Sequence, residues 1–167
     1  MLEKFVAETG LVKLKTNRSL LDMIGVNELE NTKVKLKIEV PKRDEYLALR
    51  KSGGLSTRSL AGAEIGLANS LYSVCLREAE TDKLIGMGRI IGDGGTSYQI
   101  VDIVVDPLFQ QQGLGKLIMK HLMVYITEEA DAQAYISLIA DGKASKLYEQ
   151  FGFIETKPQS SGMYYKR

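Results

Sequence analysis

Gln110, Gly113 and Gly115 are spaced so that a turn rich in free backbone amides runs directly into an apolar-periodic helix. The chemistry open to such a turn is the binding of an anion. Glycines at positions 113 and 115 take Cβ atoms out of a ligand's path, and the amides of a first helical turn have no intrahelical acceptor. The helix dipole adds partial positive charge at the same place. The run Gln110-Gln111-Gln112-Gly113-Leu114-Gly115 therefore reads as a phosphate or pyrophosphate cradle. Lys116 either adds a full charge at its rim or is simply solvated. Paired glycines at a strand-to-helix turn also arise for steric reasons, so the setting has to decide the ligand. No Gly-x-x-x-x-Gly-Lys-Ser/Thr run is present, and the loop follows antiparallel-looking strands instead of opening an early βαβ unit. Both facts disfavour a nucleotide site.

Two other residues could carry chemistry. Asp102 interrupts a nearly apolar run, which leaves it either a catalytic or substrate-positioning group or a structural hydrogen-bond acceptor. Tyr148 falls at helical spacing with Ala144, Leu147 and Phe151, and on spacing alone it is a core aromatic. Cys75, in an apolar strand pattern, reads as a small buried residue. His121, within a helix, reads as a partly solvated surface residue. With one cysteine and one histidine in the chain, a cysteine and histidine zinc cluster is excluded and no metal is expected.

The elements that must hold these residues follow from periodicity. Residues 34–40 alternate Val34, Leu36, Ile38 and Val40 with charged residues, the period of a half-buried strand. Residues 44–51 read as a helix stopped by Gly53-Gly54, and 56–70 as a weaker one diluted by Gly62 and Gly66. Residues 72–78 and 84–91 form a hairpin pattern. Residues 97–105 read as a central strand covered on both faces. The strongest helix spans 113–130, with Leu114, Leu117, Ile118, Leu122, Tyr125 and Ile126 on one stripe. A short strand at 134–140 and a helix ending at Gly152 follow. Two closing strands are expected at 153–156 and 163–166. The order is mixed α+β, without an internal repeat.

The chain has 167 residues, 44% hydrophobic and 26% charged, with formal charge +1. That suits one domain and gives no bulk electrostatic case for nucleic acid or membrane. No window reaches the roughly 20 apolar residues of a membrane span. The start of the chain is too charged for a signal peptide, so a cytoplasmic location is expected. A division into an N-terminal extension, 1–32, and a main domain, 33–167, fits the pattern. The extension, with a strand pattern at 11–15 and an amphipathic stretch at 19–24, is expected to cover an edge or join a homodimer interface.

Taken in order, Val105-Asp106-Pro107, Gln110-x-x-Gly113-x-Gly115 and Ala144-x-x-Leu147-Tyr148-x-x-Phe151-Gly152-Phe153 resemble the two hallmark motifs of the GCN5-related N-acetyltransferases, the GNAT superfamily. The resemblance implies a mostly antiparallel twisted sheet, splayed at its central parallel strands and flanked by helices. It implies acetyl-CoA as co-substrate, with the pyrophosphate on the amides of 110–116 and the pantetheine arm along Ile103, Val104 and Val105 as an added strand. Asp141, Ala144 and Leu147 would also line the coenzyme. Tyr148 matches the family tyrosine that returns a proton to the leaving thiolate, and a strand amide would stabilise the oxyanion. The family's glutamate base position is Gln99 here, which cannot accept a proton as a base, so Asp102 or a water wire past Gln99 would take that part. The implied activity is acetyl transfer to a primary amine, a small molecule, by direct attack in a ternary complex. Alternatives are a protein acetyltransferase or a non-catalytic acyl-CoA sensor. The acceptor side is expected at residues 44–70 and 89–98, with Glu64, Asp93, Tyr164 and Tyr165 as candidates.

Overall fold

A computed structural model describes residues 33–165; the expected strand at 11–15 and amphipathic stretch at 19–24 lie outside them. The described elements are β1 (Val34–Ile38), α1 (Arg43–Ser52), α2 (Leu60–Ala68), β2 (Tyr72–Glu78), β3 (Leu84–Gly92), β4 (Ser97–Val105), α3 (Leu114–Glu129), β5 (Tyr135–Leu138) and α4 (Ser145–Glu149). Short 3₁₀ turns at Pro107–Phe109 and Gly142–Ala144 precede α3 and α4.

The strands form one sheet in chain order, β1 to β5, antiparallel except for the parallel pair β4 and β5. A parallel neighbour cannot be reached by a tight turn, so α3 serves as the crossover between them. α1 begins with Glu45 accepting a hydrogen bond from the Lys42 amide at 2.8 Å, with Asp44 and Glu45 in its first turn and Arg50 and Lys51 in its last. That charge order complements the helix dipole. α2 is shorter than residues 56–70, and Ser59 caps it by accepting from the Gly62 amide at 3.0 Å.

Each face of the sheet carries its own core. Ile118, Met119, Leu122, Tyr125 and Ile126 of α3 pack on Tyr72, Val74, Leu76, Ile85, Ile90, Tyr98 and Ile100, with the Tyr72 and Tyr125 rings stacked 4.6 Å apart. On the opposite face, Tyr46 and Leu49 of α1 and Ala63 and Leu67 of α2 cover Cys75, Leu84, Met87 and Val104. The two layers leave β4 enclosed on both sides, as its apolar sequence requires.

Three expectations are corrected. Residues 153–156 and the described residues 163–165 form no strand, and Ile154, Met163, Tyr164 and Tyr165 are exposed. Their sequence has strand-like composition, but a strand exists only where a neighbouring edge supplies a ladder. His121 is buried, at 5% exposure, not solvated. Its spacing, four residues after Leu117 and four before Tyr125, places it on the apolar stripe.

Candidate active site

β4 is the element from which the site is built. Its register against β3 runs Arg89↔Val101 and then Met87↔Val104, so Asp102 and Ile103 together oppose Gly88. This is a β-bulge, and Asp102 takes a left-handed φ of 58° to form it. Against β5, β4 is paired only at Ser97↔Tyr135 through Ile100↔Leu138. β5 ends at Leu138 while β4 continues to Val105, so the β5-facing edge of β4 beyond Ile100 has no strand partner among the described residues. Unpaired backbone of this kind accepts an extended ligand as an extra strand.

The chain then turns sharply. Asp106 accepts from the Leu108 amide at 3.1 Å and from Lys83 Nζ at 3.0 Å, and Pro107 starts the 3₁₀ turn. Gln110 reaches back to donate to the Val105 carbonyl at 3.1 Å, which ties the loop to the end of the strand. Gln111 and Gly113 have φ of 61° and 76°. The first intrahelical bond of α3 runs from the Leu117 amide to the Gly113 carbonyl, so the amides of Leu114, Gly115 and Lys116 have no acceptor within the helix. The first turn carries no acidic residue, leaving the positive end of the dipole uncompensated. A Cβ built on Gly113 would meet nothing within 4 Å, whereas one on Gly115 would lie 3.5 Å from Leu147. Open space above Gly113, Leu147 of α4 beside Gly115 and the unpaired amides of the first helical turn give this loop the character of an anion site.

These pieces enclose a cavity of about 280 Å³ lined by Ile103, Val104, Val105, Gln110, Gln111, Gly113, Leu114, Gly115, Ala144, Leu147 and Tyr148. Strand edge, loop and α4 are thus brought together, as the family resemblance implied. Gln112, Lys116, Asp141, Gln99 and Asp102 do not line it. Gln112, Lys116 and Asp141 are exposed around it. Gln99 is half-buried, opposite Ile91 and Ser137 in the sheet. Tyr148 is 8% exposed, and its hydroxyl has no hydrogen-bond partner among the described residues. Burial, with the negative charge of Asp141 adding to it, holds the phenol above its ordinary pKa.

Asp102 points to the other face of the sheet, into a cluster that spacing did not reveal. Its Oδ1 accepts from Arg50 of α1. Its Oδ2 accepts from Arg89 Nε and Nη2 of β3 at 2.8 and 2.7 Å, and from the Tyr46 hydroxyl at 3.0 Å. Arg50 and Arg89 are both buried. An arginine and an aspartate set in two adjacent apolar strands are the signal that could have paired them. Of the acceptor-side candidates, Glu64 pairs with Arg43 at 3.1 Å. Asp93 accepts from the Gly95, Thr96 and Ser97 amides of its own turn. Cys75 is fully buried and its thiol is pushed up to about 12, by burial first, so it is inert packing. Among the described residues no His, Cys, Asp and Glu group converges as a metal site.

Comparison with known proteins agrees with this geometry. The acetyltransferase (GNAT) domain family matches residues 60–163. The uncharacterized N-acetyltransferase ycf52 of Pyropia yezoensis is 31% identical over 123 residues, covering 72% of this chain and 70% of its own. A soybean (Glycine max) protein named histone acetyltransferase TAP1 is 34% identical over 87 residues, 52% of this chain and 36% of its own. A crystal structure of a probable acetyltransferase of unknown function from methicillin-resistant Staphylococcus aureus is 49% identical, with a TM-score of 0.75 over 80% of this chain and 99% of its own.

Proposed function

This chain belongs to the GNAT family of acetyltransferases, and on that premise we propose that it transfers an acetyl group from acetyl-CoA to a primary amine of a small molecule, by direct attack in a ternary complex. The observation that carries the reading is that β5 ends at Leu138, opposite Ile100, while β4 runs on to Val105. It leaves a free strand edge, an amide-rich loop and a phenol around one cavity. The residues present fit the coenzyme: the helix start offers unpaired amides and open space at Gly113 for phosphate. The edge of Ile103, Val104 and Val105 offers hydrogen bonds to an amide-containing arm.

Acetyl-CoA, when bound, supplies an activated acyl carbon and a thiolate leaving group. The chain's part is positional and electrostatic. Free backbone donors on β4 face the place where charge develops on the acetyl oxygen. As the new C–N bond forms and the C–S bond breaks, the Tyr148 hydroxyl gives its proton to the departing sulfur. Gln99 has no basic lone pair, so the amine's proton leaves through water. Residues 44–70 wall the acceptor side.

Release of free thiol from acetyl-CoA across a panel of small amines tests the proposal. Amine-dependent release with saturation is expected. Tight coenzyme binding without turnover across the panel would make the chain an acyl-CoA sensor instead. The relative named as a histone acetyltransferase favours a protein acceptor as the second reading, and lysine peptides in the same assay separate the two.

A further inference from the structure

We propose that Asp102 is a positioning residue: its carboxylate, gripped by Arg50, Arg89 and Tyr46, locks the β4 bulge and so fixes the backbone that meets the thioester. The inference rests on the acetyl-transfer reading above and deepens it. The bulge is made by Asp102 and Ile103, and Ile103 is also where the cavity lining begins. Any drift in the Asp102 dihedrals therefore swings the amides next to it. A side-chain-bearing residue in the left-handed region sits uphill of its relaxed state and persists only where its surroundings over-determine it.

Here both faces of the sheet do so. On the α3 side, Gly88 opposite the bulge is closed off: a Cβ there would lie 2.5 Å from Ile118 and 2.9 Å from Leu122. On the other side, the carboxylate accepts from both arginines and the phenol. Each arginine is anchored in turn to backbone elsewhere. Arg50 Nη2 donates to the Ser56 carbonyl at 2.7 Å, and Arg89 Nη1 to the Gly66 carbonyl at 2.8 Å. The bulge is thereby tied to the segment after α1 and to α2 itself. With every carboxylate oxygen engaged by these donors, Asp102 has no role as a proton acceptor in this arrangement. Its effect on rate runs through the backbone.

The test uses the full chain with acetyl-CoA labelled with ¹³C at the acetyl carbonyl. Infrared difference spectra, kcat, KM and coenzyme Kd are compared for the wild type, Asp102→Asn, Arg50→Lys and Tyr46→Phe. Circular dichroism gives the folded fraction. In the wild type the bound carbonyl band is expected to shift to lower frequency. In Asp102→Asn and Arg50→Lys it should move back toward the free value. kcat per folded molecule should fall by about 10- to 100-fold, in line with misplacement of a positioned donor, and coenzyme Kd should change less, by no more than about tenfold, because the loop is untouched and only the strand contacts beside the bulge are disturbed. Tyr46→Phe, losing one of the grips, should fall between. If Asp102→Asn does not fold, Arg50→Lys and Tyr46→Phe carry the test. Folded variants with wild-type kcat and carbonyl band overturn the proposal, as does a loss of activity that merely tracks unfolded protein. A wild type that turns over with an unshifted carbonyl also overturns it. A wild type that neither binds acetyl-CoA nor turns over overturns the acetyl-transfer reading itself.

Discussion

A phenol walled in by apolar side chains keeps its proton, and Tyr148 is so placed beside the cavity. Tyr148→Phe removes the hydroxyl and leaves the ring that packs with Leu114 and Leu147 in the same core. Coenzyme affinity should therefore hold while kcat drops by about 10- to 10⁴-fold, the usual reach of a positioned acid. Steady-state kinetics beside calorimetric binding separates the two effects. The direction of the pKa shift makes a second expectation. Tyr148 donates only when protonated, so raising its pKa moves the alkaline loss of activity upward, above the ordinary phenol value of about 10. An alkaline limb that persists unchanged in the Phe variant would contradict the assignment. At this scale the sequence was half legible. Spacing put Tyr148 on a packed stripe, but only the motif around it suggested a proton donor. Asp102 was visible as an odd carboxylate, while Arg50 and Tyr46 were hidden because their partner lies more than fifty positions away.

The loop between β4 and α3 was the most legible element, because its requirements are local. Gly113 sits at φ 76° with open space around it, so the need for glycine there is one of backbone conformation. Gly113→Ala should cost about 1–2 kcal/mol in the left-handed region, and if the loop relaxes to avoid it, coenzyme binding weakens by about 5- to 30-fold. Gly115→Ala differs: its Cβ would make ordinary contact with Leu147 at 3.5 Å inside a helix, where alanine is the better helix former. Its affinity should stay within about threefold of wild type, with equal or higher thermal stability. Titration calorimetry on both variants checks the contrast, and equal losses would show that steric access at the loop, not φ, is what matters. Strands 72–78 and 84–91 were equally readable, since a hairpin pairs near neighbours. The closing segments were not, because alternation of side chains specifies a face but not the edge that must receive it. The bulge was invisible for a related reason: an extra residue in β4 has meaning only against Gly88 of the neighbouring strand.

At the scale of the whole molecule, two cores press on one sheet, and the larger depends on α3 lying flat against β2, β3 and β4. That helix buries His121 with its Nε2 lacking any partner among the described residues. Burial, helped by the nearby Lys120, pushes the imidazole down to about 4 from an ordinary 6.5. The native chain therefore holds His121 neutral, whereas the unfolded chain protonates it near 6.5. Because the folded pKa is the lower one, the unfolded state binds more protons between these values, and stability falls as the pH drops through that window. The full contribution is present above about pH 6.5, and its loss approaches about 3 kcal/mol by pH 4. His121→Leu keeps the volume and removes the titration. Urea midpoints measured from pH 7.5 to 4.5 should decline more steeply for the wild type than for the variant, the gap widening as acid is added. Parallel curves would mean that α3 lifts enough to solvate the imidazole without unfolding, so that the packing of this helix, which follows directly on the glycine loop, is looser than its burial indicates.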